Sequence, residues 1–321
     1  MKIVVVGGGV ISKRLIESKY APKELIQFSI RDLQRSPEGW TEMQLACVNS
    51  DAIIFLAYHH KNIFLNIKLL FKVLSSLRRY KWLGKFIFLN TQTTLIPQIF
   101  VTPNPLPRCL TFDLYTITKK IQSSLISYFS KSVNILEIFL PVVTGSGSKT
   151  HNRFLEISLH NFALIPNAAN NYFAQLDLDR FVDWMWTGAL GSGFAKERQI
   201  NGRVVKIFIY QKLTSFRSFL VEMRKLKLDS TQEITGLSLK YRFSNSFFGN
   251  LIWHIKMSPI GLLIYTVRYA YESPVAKGAE NVNKQAPGSM PQVFIPCGPE
   301  YQFFGSSIDL SRVPFEVLRI D

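Results

Sequence analysis

Cysteine is scarce. Cys47, Cys109 and Cys297 are the only three, widely separated, with no CxxC pair and no Cys/His cluster. That excludes a disulfide framework and a thiolate metal centre, and it suits a reducing, cytoplasmic setting. Long apolar runs are also missing. No uninterrupted stretch of about 18 apolar residues occurs, so no transmembrane helix is expected. The nearest approach is 247–271, interrupted by His254, Lys256, Pro259 and Arg268. It reads either as an amphipathic helix lying on the inner face of a membrane or as a stretch packed on its own domain. Acidic residues are few, 22 against 38 Lys and Arg, for a formal charge of +16. None stands between Asp51 and Asp113, where Lys61, Lys68, Lys72, Arg78, Arg79, Lys81, Lys85 and Arg108 all fall. Such a surface attracts anions, or is simply the solvated face of a helix. It carries no known nucleic-acid motif, so nucleic acid is not an expected partner.

What is present is a globular composition, 47% hydrophobic over 321 residues. That is enough for one large α/β unit or two intimate domains. The chain enters directly into Ile3-Val4-Val5-Val6 and three glycines, a strand rather than a leader segment. Helix and strand patterns then alternate. Helices are expected over 11–19, 62–79, 112–129, 177–189 and 214–225, and strands over 3–6, 25–30, 52–57, 86–89, 133–140 and 204–209. Strands alternating with helices of this length predict a Rossmann-like, doubly wound parallel sheet, which binds ligands at the carboxyl ends of its strands. The stretch 31–51 is short for both a strand and a helix, so one sheet strand is expected to be missing. The expected division is a dinucleotide-binding unit over 1–144, completed by 177–210, then segments of a smaller, partly interleaved substrate domain over 145–272. Residues 273–321 read as linker and tail, which could cover the site, bind a partner or pack on the core.

Gly7-Gly8-Gly9-Val10-Ile11-Ser12 follows a strand and opens a helix. Glycines allow a tight turn and a close approach by a pyrophosphate, which the amides at the helix start can bind. As GxGxxG, the match is Gly7, Gly9 and Ser12, with serine in place of the last glycine. The second strand runs into Arg31-Asp32. An arginine there accommodates the 2′-phosphate of NADP, so NADP is preferred over NAD. Tyr115 and Lys119 form a YxxxK pair, on one face of a helix by i, i+4 spacing. A cation beside a phenol favours the phenolate and suits proton exchange near neutral pH. Twelve tyrosines in a lysine-rich chain make one such pair expected by chance, so position decides. The strand 86–89 runs into Asn90-Thr91, placing a hydroxyl 24 residues before Tyr115.

Taken together, these motifs resemble the extended short-chain dehydrogenase/reductase superfamily, the NAD-dependent epimerase/dehydratase type. Asp51–Ala57, Asn66, Phe139-Leu140-Pro141-Val142 and Gln175-Leu176-Asp177-Leu178 match that family's order over about residues 2–225. The resemblance implies that Thr91 orients a substrate oxygen, with Thr93 and Thr94 as close rivals. It implies that Tyr115 is the acid/base and that Lys119 holds the nicotinamide ribose. Cofactor contacts would come from Gly7, Gly9, Val10, Ile11, Ser12, Arg31, Leu56, Ala57, Tyr115, Lys119 and Pro141. The implied activity is an NAD(P)-dependent oxidoreductase or epimerase/dehydratase acting on a sugar nucleotide or lipid-linked sugar. The alternative is a non-catalytic NADP-binding sensor or interaction protein. Peripheral membrane contact through 247–271 and a homodimer stay open.

Other motifs weaken on inspection. Gly145–Thr150 hints at a phosphate loop, but Ser148 precedes Lys149 and Val143 stands where the first glycine belongs. His59-His60 has no partner at ligand spacing, and no metal is expected. Asp177, Asp179 and Asp183 do not share one helix face, so capping and solvated charge are preferred.

Overall fold

The structure is a computed structural model. It describes residues 1–30, 33, 37–59, 62–95, 98–101, 114–145, 172–191, 204–215, 218–219, 222 and 307–321. Strand β1 (Ile3–Val6) leads through the glycine turn to helix α1 (Val10–Glu17), then β2 (Leu25–Phe28) and α2 (Pro37–Val48). Next come β3 (Ala52–Phe55), α3 (Ile63–Arg79), β4 (Lys85–Thr91) and a 3₁₀ turn at Gln92–Leu95. Strand β5 (Phe100–Val101) precedes α4 (Leu114–Phe129), β6 (Asn134–Leu140), β7 (Val142–Thr144) and β8 (Tyr172–Asp177). Helix α5 (Leu178–Trp184) continues into a π turn at Met185–Ala189. Strands β9 (Val205–Tyr210), β10 (Lys212–Ser215), β11 (Ser307–Ile308) and β12 (Glu316–Arg319) follow.

Seven strands pair in the order β12-β9-β6-β4-β3-β1-β2, every pairing parallel. The central strands IVVV and AIIF are buried along their whole length. Such continuous apolar runs belong to a sheet covered on both faces. Alternate residues supply the two cores. Ile3, Val5 and Ile54 pack with Leu15, Phe181 and Met185. Val4, Val6, Ile53 and Phe55 pack on the other face with Met43, Leu69, Val73, Ile126 and Phe129. Helix α3 shows the coupling of pattern to packing. Asn62 caps it by accepting from the Leu65 amide, and Leu69, Leu70, Val73, Leu74 and Leu77 are buried at helical spacing. Each such side chain contributes roughly 1.5–3 kcal/mol on burial, which dominates the small intrinsic stability of a helix this long.

The sheet order places β2 at the edge, where the usual dinucleotide fold has a further strand beyond it. Between Phe28 and Ala52 no strand occurs among the described residues, and helix α2 was not foreseen from the sequence. This agrees with the missing strand expected there. Two other differences are local. The helix expected over 214–225 overlaps β10, where Thr214 and Ser215 pair antiparallel with Phe173 and Tyr172. The Thr214 side chain is buried and donates to Gln175 Oε1 at 3.3 Å, so tertiary pairing overrides the helical pattern at that end. The helix expected over 177–189 forms, but its last part, Met185–Ala189, is wound as a π turn; Asp177 caps the start, accepting from the amides of Asp179 and Arg180. Part of the tail packs on the core. β12 is the seventh strand, in register with β9, and Asp309 N–H donates to the Ile99 carbonyl at 2.7 Å. A smaller sheet, β10-β8-β7, stands beside the main one. Among the described residues no helix is long and apolar enough to cross a membrane. The segment 247–271 lies outside them.

Candidate active site

Strand β1 lies between β2 and β3, and the chain leaves in opposite directions on its two sides. A crevice opens at such a switch point, at the carboxyl ends of the strands. The glycine turn sits there. Gly7 has φ +151°, and a β-carbon on it would lie 2.9 Å from Leu56 Cβ and 3.3 Å from the Ala57 amide nitrogen. Glycine is therefore required where β1 leaves the sheet against the end of β3. Gln27 Nε2 donates to the Gly7 carbonyl at 2.7 Å and pins the turn. Gly9 is different. It is exposed, precedes α1 with no side-chain cap, and a β-carbon there would meet nothing within 4 Å. The open space lies in front of uncapped helix amides, the arrangement an anionic group needs for close approach. Val10 and Ile11 form the half-buried first turn. Ser12 is fully buried and its hydroxyl donates to the Gly9 carbonyl at 2.7 Å, so a small residue serves where the motif has glycine.

From Leu56 and Ala57 the chain passes to Tyr58, whose ring meets that of Tyr115 edge-on, with centroids 4.8 Å apart. Tyr58 was missed in the sequence. Its only signal is an aromatic residue two positions past an apolar strand end. Asn66, fully buried in α3, clamps the segment: its Oδ1 accepts from the His59 amide at 2.6 Å and its Nδ2 donates to the His59 carbonyl at 3.0 Å. Lys119 lies one turn along α4 from Tyr115. It is buried, its Nζ donates to the Leu89 carbonyl at 2.9 Å, and it stands over the rings of Phe88 and Tyr58. Burial lowers its ammonium from 10.5 to about 8, with the Glu137 carboxylate opposing the fall.

Thr91 ends β4 and is half-buried. Its hydroxyl accepts only a long contact, 3.4 Å, from the Thr93 amide. Thr93 is buried against Thr116, hydroxyl to hydroxyl at 3.0 Å, and Thr94 donates its hydroxyl to the Thr91 carbonyl. Thr91 and Thr94 are half-buried, and of the three Thr91 alone ends the strand with a hydroxyl that makes no short bond among the described residues. Pro141, buried, follows β6 beside that strand end. The structure thus brings Gly7, Leu56, Ala57, Tyr58, Tyr115 and Lys119 into one connected tract. Arg31, the residue expected to choose NADP, lies outside the described residues.

Several solved structures share this architecture. A UDP-glucose 4-epimerase from Thermotoga maritima is 15% identical, with 73% of this chain and 84% of that chain covered and a TM-score of 0.51. A GDP-mannoheptose C4 reductase from Campylobacter jejuni with NADP bound is 11% identical over 70% and 83%, with a TM-score of 0.52. A dTDP-glucose 4,6-dehydratase from Bacillus anthracis in complex with NAD is 12% identical over 70% and 81%, with a TM-score of 0.51. The fold is the Rossmann-like α/β fold of these enzymes. No family model and no curated protein sequence matches the chain. At these identities the likeness concerns architecture, and the chemistry must be argued from the side chains described above.

Proposed function

We propose that the chain is an NAD(P)-dependent oxidoreductase or epimerase/dehydratase of the short-chain dehydrogenase/reductase type, acting on a sugar nucleotide or lipid-linked sugar. One observation carries the reading: the glycine turn, the Leu56-Ala57-Tyr58 segment and the Tyr115/Lys119 face of α4 form one connected tract at the switch point of the sheet. The residues fit a dinucleotide. The exposed Gly9 leaves room before the α1 amides for a pyrophosphate, and Gly7, Val10, Ile11, Ser12, Leu56, Ala57 and Pro141 would complete its bed. When bound, the nicotinamide would exchange hydride with a carbinol carbon of the substrate. Tyr115 would give or take the proton of the substrate hydroxyl, Thr91 would hold that oxygen, and the Lys119 ammonium would favour the Tyr115 phenolate.

The dinucleotides and nucleotide-linked sugars named for the neighbours support the substrate class. Arg31 supports NADP over NAD. The +16 charge supports a version held at an anionic membrane face, where a lipid-linked sugar would be met. Sparse cysteine supports a cytoplasmic site of action. A non-catalytic sensor would have no use for a buried lysine placed beside a tyrosine. The test is turnover. The chain is incubated with NADP(H) or NAD(H) and a panel of nucleotide sugars, and nicotinamide absorbance and sugar products are followed. Turnover that is lost in Tyr115→Phe supports the reading. Turnover that survives in Tyr115→Phe sinks the acid/base role.

A further inference from the structure

Strand β6 reads NILEIFL, and its one charged residue, Glu137, is fully buried. A carboxylate in a central strand is expensive to bury, and an apolar residue would pack there at lower cost. Its partners point toward the site. Glu137 Oε1 accepts from Asn90 Nδ2 at 2.6 Å, and Oε2 lies 3.3 Å from Lys206 Nζ on β9. A carboxylate only accepts, so it fixes which way the buried Asn90 amide faces. Asn90 Oδ1 is then turned to the Thr91 amide, from which it accepts at 2.8 Å. Glu137 is in register with Phe88 on β4, and Lys119 Nζ stands 4.7 Å over the Phe88 ring, so the carboxylate opposes the fall of the Lys119 ammonium. Facing the pair are Tyr58 from the segment after β3, Lys206 from β9, and Tyr115 on the same helix as Lys119. Phe88 and Asn90 from β4 do not titrate.

We propose that Glu137 is the positioning residue of this site: through Asn90 it sets the backbone of Thr91, and from its place beside Phe88 it is the carboxylate set toward Lys119, one turn from Tyr115. It touches neither substrate nor cofactor. The assignment rests on the roles given above to Thr91, Tyr115 and Lys119. Glu137→Gln separates charge from shape, because the glutamine oxygen can still accept from Asn90.

The experiment is a pH titration of the full chain carrying carbon-labelled lysine, following the Lys119 ε-carbon by NMR. Lys119→Met assigns the signal. In Glu137→Gln the Lys119 midpoint falls by about one pH unit or more, as loss of a close opposite charge requires. The alkaline limb of turnover moves down with it. Glu137→Asp restores part of both. A folded Glu137→Gln whose Lys119 midpoint is unmoved overturns the proposal. If that variant does not fold, the wild-type chain decides. The Glu137 carboxylate carbon then shows an inflection where Lys119 titrates, absent in Lys119→Met; no inflection overturns the proposal. A lowered Lys119 midpoint together with turnover that survives Tyr115→Phe supports the Glu137–Lys119 pair and removes the catalytic reading instead.

Discussion

Two lysines meet strand β4, one at each end of it, Lys119 buried and Lys85 half-buried. Lys85 begins the strand and donates to the Ala189 carbonyl at 2.6 Å, where the π turn ends. Lys119 reaches the other end of the strand and donates to the Leu89 carbonyl at 2.9 Å. Burial lowers each from 10.5 to about 8. The two are alike in acidity and in hydrogen bonding, yet their surroundings differ. Lys85 supplies a cation to a helical carboxyl end, a familiar stabilising arrangement. Lys119 stands among Tyr58, Phe88 and the Glu137 carboxylate, one turn from Tyr115, at the end of the sheet where ligands bind. A shifted lysine therefore marks a candidate active site only when topology and an acid/base partner agree with it.

The largest expected effect falls on the carboxyl end. Tyr115→Phe should lower turnover by about a hundredfold to ten-thousandfold, the range for a lost general acid/base, with NADPH affinity within about threefold of wild type. Steady-state kinetics and calorimetry measure the two. Lys119→Met should cost at least about a hundredfold in turnover, while Lys85→Met leaves turnover within about twofold. Equal losses in both variants would erase the distinction between the two ends.

Stability should run the other way for Lys119. A lysine lowered by folding from 10.5 to about 8 binds its proton more weakly in the folded chain than in the unfolded one. The cost is complete below pH 8 and disappears as pH rises past 10.5. It amounts to about 3 kcal/mol at neutral pH, offset in part by the bond to Leu89. Lys119→Met should therefore keep or raise Tm at pH 7, and that margin should shrink toward pH 10. Turnover of the wild type should fall above about pH 8, as the ammonium beside Tyr115 is lost.

The glycine turn gives a smaller, cleaner contrast. Gly7→Ala should destabilise by about 1–3 kcal/mol, because of its φ of +151° and the contact with Leu56. Gly9→Val should cost less than Gly7→Ala, about 1 kcal/mol or below, since a β-carbon there meets nothing and only the N-cap preference of α1 is disturbed. Its effect should appear in cofactor affinity. Thermal unfolding with and without NADPH measures both.

Much of the fold was legible because the parallel strands are apolar on both faces, as IVVV and AIIF show, and because α3 carries leucines at a clear helical spacing. The elements missed were those whose pattern is set elsewhere. β12 gains its place only by pairing with β9 across a long stretch of sequence. Helix α2 has a diffuse apolar pattern, and β10 hides beneath a helix-like sequence. In the site, Gly7, Tyr115 and Lys119 carry motif spacing and could be named. Tyr58 and Glu137 act through contacts between distant strands and helices, which no spacing along the chain reveals. Glu137 did leave one trace, a lone charge in an apolar strand.

The most direct measurement is a calorimetric titration of NADPH and NADH into the wild-type chain and into Gly9→Val. The account predicts that the wild type binds NADPH more tightly than NADH. It predicts a loss of at least about tenfold in NADPH affinity in Gly9→Val, in a free protein that still unfolds cooperatively. Binding of neither dinucleotide by a folded wild-type chain, or equal NADPH affinity in the variant, would contradict it.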